Sequence, residues 1–299
     1  MNKIIGFVGL GKMGKNIVLH LKEKGWSAVV FDKDQKAITA IRSGSVRGVS
    51  SIKELVQTLQ PPRLIWLMIP AGKPIDDTLQ DLLSNLQKGD VLIDGGNSFY
   101  EDSIKRAKML ARKGIHFLDV GTSGGMEGAR RGACIMIGGE KEIFKRYEGL
   151  FSDLAVPHGY VYAGKSGAGH FVKMVHNGIE YGMMQAIAEG FTVLKKSSLQ
   201  LDLEKIADVY NHGSIIESRL MQWLVDALRV FGEEMTNVSG SVSHTGEGEW
   251  TVKTAKRMGV SVPVIKKSFE FRLESKKKPS YTGRVLSALR NQFGGHAIK

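Results

Sequence analysis

One cysteine, seven prolines and a shortage of acid mark this chain of 299 residues. A lone Cys134 excludes an internal disulfide and cannot by itself build a thiolate metal site, which fits a reducing compartment. The segment around it, GACIMIGG, reads as a buried strand, so Cys134 is poorly placed as a nucleophile. No HExxH, CxxC or carboxylate cluster points to a bound metal. Long apolar runs are also missing. The opening MNKIIGFVGLGKMG is too short and too interrupted by glycine for a signal peptide, and cytoplasmic residence is the default expectation. Acidic residues number 30 against 42 Lys and Arg, a formal charge of +12. Between positions 266 and 290 eight Lys or Arg face only Glu270 and Glu274, so that segment carries +6, half of the excess. Such a cluster suits an anionic small molecule, or nucleic acid if it forms a continuous exposed stripe. Lys276, Lys277 and Lys278 read as solvated loop residues.

What is present is the make-up of an ordinary globular protein, 42% hydrophobic and 24% charged, long enough for two domains. Short apolar runs at 3–8, 27–31, 63–69, 90–94 and 116–120 alternate with helical periodicity at 12–24, 51–59, 74–87 and 100–113. A strand at 132–138, a helix at 140–154 and a strand at 159–162 follow. This order predicts an α/β, Rossmann-type, doubly wound domain with a parallel sheet over residues 1–164. Beyond it only helices are predicted, at 169–196, 202–212, 215–231, 246–258 and 262–275, giving an all-α domain over 165–299. That domain is thin, and its apolar faces would bury more against a second copy, so a homodimer or homotetramer is expected.

Gly9-Leu10-Gly11-Lys12-Met13-Gly14 follows the first strand and opens a helix, and Asp32 ends the second strand. A GxGxxG string alone is weak, but strand, glycines, helix, second strand and acid all fall within one βαβ unit. Gly9 permits the turn, Gly11 lets a pyrophosphate approach the backbone, and Gly14 allows close helix packing. Asp32 would accept hydrogen bonds from ribose hydroxyls and repel a 2′-phosphate, favouring NAD over NADP; Lys33 softens that exclusion.

Lys173, His176, Asn177, Glu180 and Tyr181 recur at helical spacing within an otherwise apolar stretch, in an arc of roughly 140°. Two readings are open: a solvated polar face, or one wall of an active site. Two glycine-rich loops at strand C-termini, Asp94-Gly95-Gly96-Asn97-Ser98 and Gly121-Thr122-Ser123-Gly124-Gly125, are either turns or anion-binding loops.

With GFVGLGKMG, IDGGNS, DVGTSGG, GACIMIGG and GHFVKMVHNGIEYGMMQ, the chain resembles the decarboxylating 6-phosphogluconate dehydrogenases, from residue 1 to about 195 and again in RNQFGGH. The resemblance implies oxidation of 6-phosphogluconate by NAD, with NADP less favoured, and loss of CO2 to give ribulose 5-phosphate in the pentose phosphate pathway. It implies that Lys173 is the base for the C3 hydroxyl and Glu180 the acid that protonates C1 of the enediol. Asn97 and Asn177 would bind hydroxyls, Asn97 also touching the cofactor. His176 with Ser123, Gly124 and Gly125 would hold the C1 end. Tyr181 and Arg272 would contact the phosphate, and Arg290 and His296 would arrive from a partner's C-terminal tail. A lysine serves as base near neutral pH only when burial or nearby positive charge lowers its pKa, which an apolar helix beside cationic groups would provide.

The chain departs from the family pattern in two places. Long members carry a second helical block, whereas this sequence stops soon after the equivalent of the first, so it is expected to group with short, often NAD-preferring forms. In HTGEGEWT, Thr245 stands where relatives carry a lysine, with His244 as a substitute contact. Two other functions compete. A 3-hydroxyisobutyrate-type dehydrogenase would need Lys173 and Ser123 but not Glu180, Arg272, Arg290 or His296. A nucleotide-sensing or nucleic-acid-binding regulator would leave the base and acid pair unexplained.

Overall fold

The computed structural model describes residues 3–298, and the chain divides into two compact units, Met1–Lys173 and Met174–Lys299. The first carries β1 (Ile4–Val8), α1 (Lys12–Glu23), β2 (Ser27–Phe31), α2 (Gln35–Thr39), β3 (Val46–Gly48), α3 (Ile52–Thr58), β4 (Leu64–Leu67), α4 (Lys73–Leu83), β5 (Val91–Asp94), α5 (Tyr100–Ala111), β6 (His116–Ser123), α6 (Gly125–Arg131), β7 (Ala133–Gly139), α7 (Lys141–Leu154) and β8 (Ala155–Gly164). The strands form one sheet in the order β3-β2-β1-β4-β5-β6-β7-β8. Its central strands are apolar on both sides because helices cover both faces. One face buries Phe7 stacked on Trp66 at 6.2 Å with Val30 and Ile93, and the other buries Ile65, Leu67 and Leu92.

The doubly wound architecture matches the alternation of the sequence, with one correction to the parallel sheet. β7 runs antiparallel to β6, in register from Leu118 opposite Gly139 to Ser123 opposite Cys134. Only residues 124–132 join the two strands, and a parallel crossover needs about a dozen or more. A second correction concerns Cys134. It lies in β7 as expected, but its side chain is exposed rather than buried.

Among its described residues the second unit has helices and no strand. It takes most of α8 (Ala168–Lys196), then α9 (Leu203–Tyr210), α10 (Arg219–Phe231), α11 (Glu247–Arg257), α12 (Pro263–Ser275) and α13 (Tyr281–Gly294). Met184, Ala188 and Phe191 of α8 share a core with Leu224 and Leu228 of α10 and with Val285, Leu286 and Leu289 of α13. The last helix was not anticipated. Ser280 caps it by accepting the N–H of Gly283, and Gly295 ends it in the left-handed conformation at φ 58.

Candidate active site

The three glycines of the first loop have separate physical reasons. Gly9 has φ 98, and a side chain there would strike the carbonyl of Met68; one at Gly14 would strike the carbonyl of Gly9. Gly11 faces open space, with nothing within 4 Å of where a Cβ would stand. It is also the N-cap of α1, whose first turn has no side-chain cap and no acid, so the amide end of that helix is open to an anion. Leu10, Lys12 and Met13 carry the chain through this turn. Asp32 follows β2 directly and accepts the N–H of Leu10 at 2.5 Å and that of Asp34 at 2.8 Å. The carboxylate thus fixes the glycine loop and, with up to four acceptor sites, keeps capacity for ribose hydroxyls. The open glycine, the uncapped helix end and the fixed carboxylate fit a dinucleotide.

The loop after β5 is held by its own first residue. Asp94 is fully buried, its Oδ2 accepting from Ser98 Oγ at 2.8 Å and its Oδ1 from the N–H of Gly96 at 3.1 Å, with Arg106 3.7 Å away. These bonds close the loop and leave Asn97 exposed at its tip. After β6, Ser123 is half-buried, Gly124 takes φ 118 as N-cap of α6, and Gly125 takes φ 63. Side chains would strain both glycine positions.

Asp119, in the middle of β6, was not anticipated. It is fully buried and accepts the N–H of Gly167 at 2.6 Å and of His170 at 2.9 Å, satisfying donors at the start of α8. His170 in turn pairs through Nδ1 with Ser103 Oγ at 2.7 Å. One pleat repeat beyond Asp119, Gly121 lies directly under the stem of Lys173, where any Cβ would collide with the Lys173 side chain. An acid inside the apolar run FLDVG was the available signal for this anchor.

Further along α8 the polar stripe is not a solvated face. Asn177 and Tyr181 are buried at 9% and 5% exposure, and Lys173, His176 and Glu180 are half-buried. The exposed side is instead apolar, with Ile179 at 54% and Val193 at 71%. Such inverted amphipathicity favours the active-site reading of the stripe. His176 Nδ1 lies 3.0 Å from Asn177 Oδ1 and 3.8 Å from Glu180 Oε2.

Around Tyr181 the second unit gathers its arginines. The Arg272 guanidinium, 2% exposed, stacks on the Tyr181 ring with Cζ 3.3 Å from the centroid. Burial lowers its pKa to about 10 and holds that of Arg290 below the usual arginine range. Arg290, 4% exposed, donates to Ser243 Oγ at 2.7 Å. The Tyr181 hydroxyl is buried without a hydrogen-bond partner, and burial raises its pKa. Thr245 donates to the buried Glu247 at 2.7 Å. His244 packs edge-on against Phe269, and burial together with Lys276 lowers its pKa, which makes it a neutral ring near neutral pH. His296 lies after the end of α13, its ring edge-on to Phe293 and its carbonyl accepting from Asn291 at 2.8 Å. Lys276, Lys277 and Lys278 are exposed, as expected.

Among the described residues no cluster of His, Cys, Asp and Glu could hold a metal ion, and no helix is long and apolar enough to cross a membrane.

Residues 4–164 match the family model for the NAD binding domain of 6-phosphogluconate dehydrogenase, and residues 169–297 match that for its C-terminal domain. The chain is 47% identical to Bacillus subtilis YqeC, whose 6-phosphogluconate dehydrogenase name is provisional, over 99% of each chain. It is 38% identical to the NAD(+)-dependent, decarboxylating 6-phosphogluconate dehydrogenase of Haloferax volcanii, over 98% of each. Among solved structures, Plasmodium falciparum 6-phosphogluconate dehydrogenase superposes with a TM-score of 0.83 at 30% identity, covering 92% of this chain and 62% of that one. Matched along both units and over nearly the whole length of two relatives, the chain belongs to the 6-phosphogluconate dehydrogenase family.

Proposed function

We propose that the protein oxidatively decarboxylates 6-phosphogluconate to ribulose 5-phosphate and CO2, reducing NAD. When bound at the glycine loop, NAD supplies the hydride acceptor. Lys173, braced over Gly121 on a helix whose N-terminus Asp119 holds, takes the proton of the C3 hydroxyl as the hydrogen on C3 leaves as hydride. The resulting 3-keto acid carries its carboxylate β to the new carbonyl. Protonated Lys173 polarises that carbonyl, the C1–C2 bond breaks, and its electron pair enters the enediol as CO2 departs. Glu180, two turns further along α8, then protonates the former C2, which becomes C1 of ribulose 5-phosphate. Asn97 and Asn177 orient the hydroxyls, while His176 and the Ser123-Gly124-Gly125 turn hold the C1 end. Asp32 supports preference for NAD, because a 2′-phosphate beside it would meet a carboxylate.

The observation that carries this reading is the inward-turned stripe of α8, which places one amine and one carboxylate on the same partly buried helix wall. A 3-hydroxyisobutyrate-type dehydrogenase would use Lys173 and Ser123 but leave buried Arg272, Arg290 and Tyr181 without a ligand. Regulation through nucleic acid would leave Lys173 and Glu180 without a task. The exposed apolar side of α8 supports a homo-oligomer in which a second copy covers it. NAD reduction measured side by side with 6-phosphogluconate and 3-hydroxyisobutyrate discriminates the two dehydrogenases: turnover of the first is expected, and turnover of the second alone overturns the proposal.

A further inference from the structure

Arg106 lies on the buried face of α5 at 5% exposure, and its guanidinium reaches four groups on two different loops. Nε donates to Asp76 Oδ1 at 2.8 Å and Nη2 lies 3.5 Å from the Gly72 carbonyl oxygen, both at the start of α4 beyond β4. Nη1 lies 3.4 Å from Ser98 Oγ and 3.7 Å from Asp94 Oδ2, in the loop after β5. A planar fork of five fixed donors can hold separate acceptors in this way, whereas a point charge cannot. The loops it ties are also in direct contact. A Cβ on Gly96 would stand 2.8 Å from the Ile69 carbonyl oxygen, and one on Gly9 would stand 2.7 Å from Ile69 Cγ2. The segment 68–72 is therefore wedged between the glycine loop that fits a dinucleotide and the loop that presents Asn97. One turn earlier on α5, Ser103 pairs with His170 at the start of the helix that bears Lys173.

We infer that Arg106 is a positioning residue, which sets Asn97 relative to a bound dinucleotide by locking the loops after β4 and β5 into one unit. The task of Asn97 rests on the proposed function, whereas the tie rests on the contacts of Arg106. Asp94, Gly96 and Ser98 form the ring of bonds behind Asn97, and Arg106 grips that ring at Ser98 and Asp94. At its other end the fork is anchored by Asp76 and Gly72. Cutting the fork leaves each loop its internal hydrogen bonds but frees it to slide against the other. A misplacement of about 1 Å in a group that orients substrate costs about 100-fold in rate. The competing account is an ion pair that only stabilises the domain, since Asp94 is fully buried and its carboxylate needs a cation. The two accounts part at Asn97, because only a positioning role acts through that side chain.

The test is a double-mutant cycle of Arg106→Lys with Asn97→Ala, read on kcat/KM for 6-phosphogluconate, with NADH affinity and urea stability measured on the same preparations. Arg106→Lys keeps a charge beside Asp94 but loses the fork, so its urea midpoint should stay near that of the wild type while kcat/KM falls about 30-fold. In the Asn97→Ala background the same change should cost less than about threefold, and NADH affinity should fall no further than in Asn97→Ala alone. Full turnover in Arg106→Lys, or losses that multiply in the double variant, overturns the inference and leaves Arg106 as an ion-pair partner of Asp94. Hydrogen exchange gives a readout free of substrate: amides in 70–73 and 95–98 should exchange about tenfold faster in Arg106→Lys, with the rest of the sheet unchanged. Faster exchange in one loop alone, or spread evenly over the domain, overturns the tie. Should Arg106→Lys fail to fold, Asp76→Asn, which cuts the tie at its more exposed end, takes its place in both measurements. If the wild type does not turn over 6-phosphogluconate, the functional proposal falls, and the exchange pattern alone decides whether Arg106 joins the loops.

Discussion

Asp119 accepts the N–H of His170 at 2.9 Å, three residues before Lys173 on the same helix. A buried carboxylate in the sheet therefore fixes the entry of the helix that carries the base, although Asp119 itself touches no reacting atom. Asp119→Asn should lower kcat about ten- to a hundredfold, in line with about 1.5–3 kcal/mol for a hydrogen bond to a charged group. KM for NAD should move far less. Equal losses in kcat and in NAD affinity would mean that Asp119 merely holds the domain together.

Gly121 tests the same geometry by steric means. A methyl group there meets the stem of Lys173, so Gly121→Ala should displace the amine and cost about 100-fold in turnover while dinucleotide binding persists. NAD affinity is measured by quenching of protein fluorescence and turnover in the same preparation. Wild-type turnover in this variant would show that Lys173 does not depend on its seat over β6.

Asp32 has two tasks that a single substitution separates. Asp32→Asn keeps an acceptor for the Leu10 N–H at 2.5 Å but removes the negative charge. The ratio of kcat/KM for NADP to that for NAD should rise about tenfold or more, together with a modest loss in NAD use. An unchanged ratio would contradict the role of Asp32 in cofactor choice.

His244 makes a pH-dependent contribution to stability. Burial, aided by Lys276, lowers its pKa in the folded chain, so below about pH 6.5 the unfolded chain binds more protons at this position than the folded one. The folded state is therefore favoured fully above that pH and loses the contribution as pH falls through 6.5 toward the depressed folded value. Urea titrations at pH 7.5 and 5.5 should show a larger drop in midpoint for the wild type than for His244→Gln. Parallel drops would rule out His244 as the source.

How much of this was legible in the sequence follows from the range of the interactions. GxGxxG with Asp32 is local, within one βαβ unit, and periodicity alone placed the α8 stripe. Asp119 went unread because its partners, Gly167 and His170, lie some 50 residues on and meet it only in the folded sheet. The reversal of β7 escaped because alternating strands and helices do not encode strand direction when a connection is short. α13 escaped because Gly283, Gly294 and Gly295 dilute its pattern. The stripe itself was ambiguous until burial showed that Asn177 and Tyr181 face inward while Ile179 and Val193 face out.

The most direct test of the central claim is the ratio of CO2 released to NADH formed from 6-phosphogluconate, measured with trapped gas, alongside ribulose 5-phosphate. One CO2 and one ribulose 5-phosphate are expected for each NADH in the wild type. Glu180→Gln should impair ribulose 5-phosphate formation more than NAD binding. NADH formed without CO2 would contradict decarboxylation, leaving a simple hydroxyacid dehydrogenase built on the same helix.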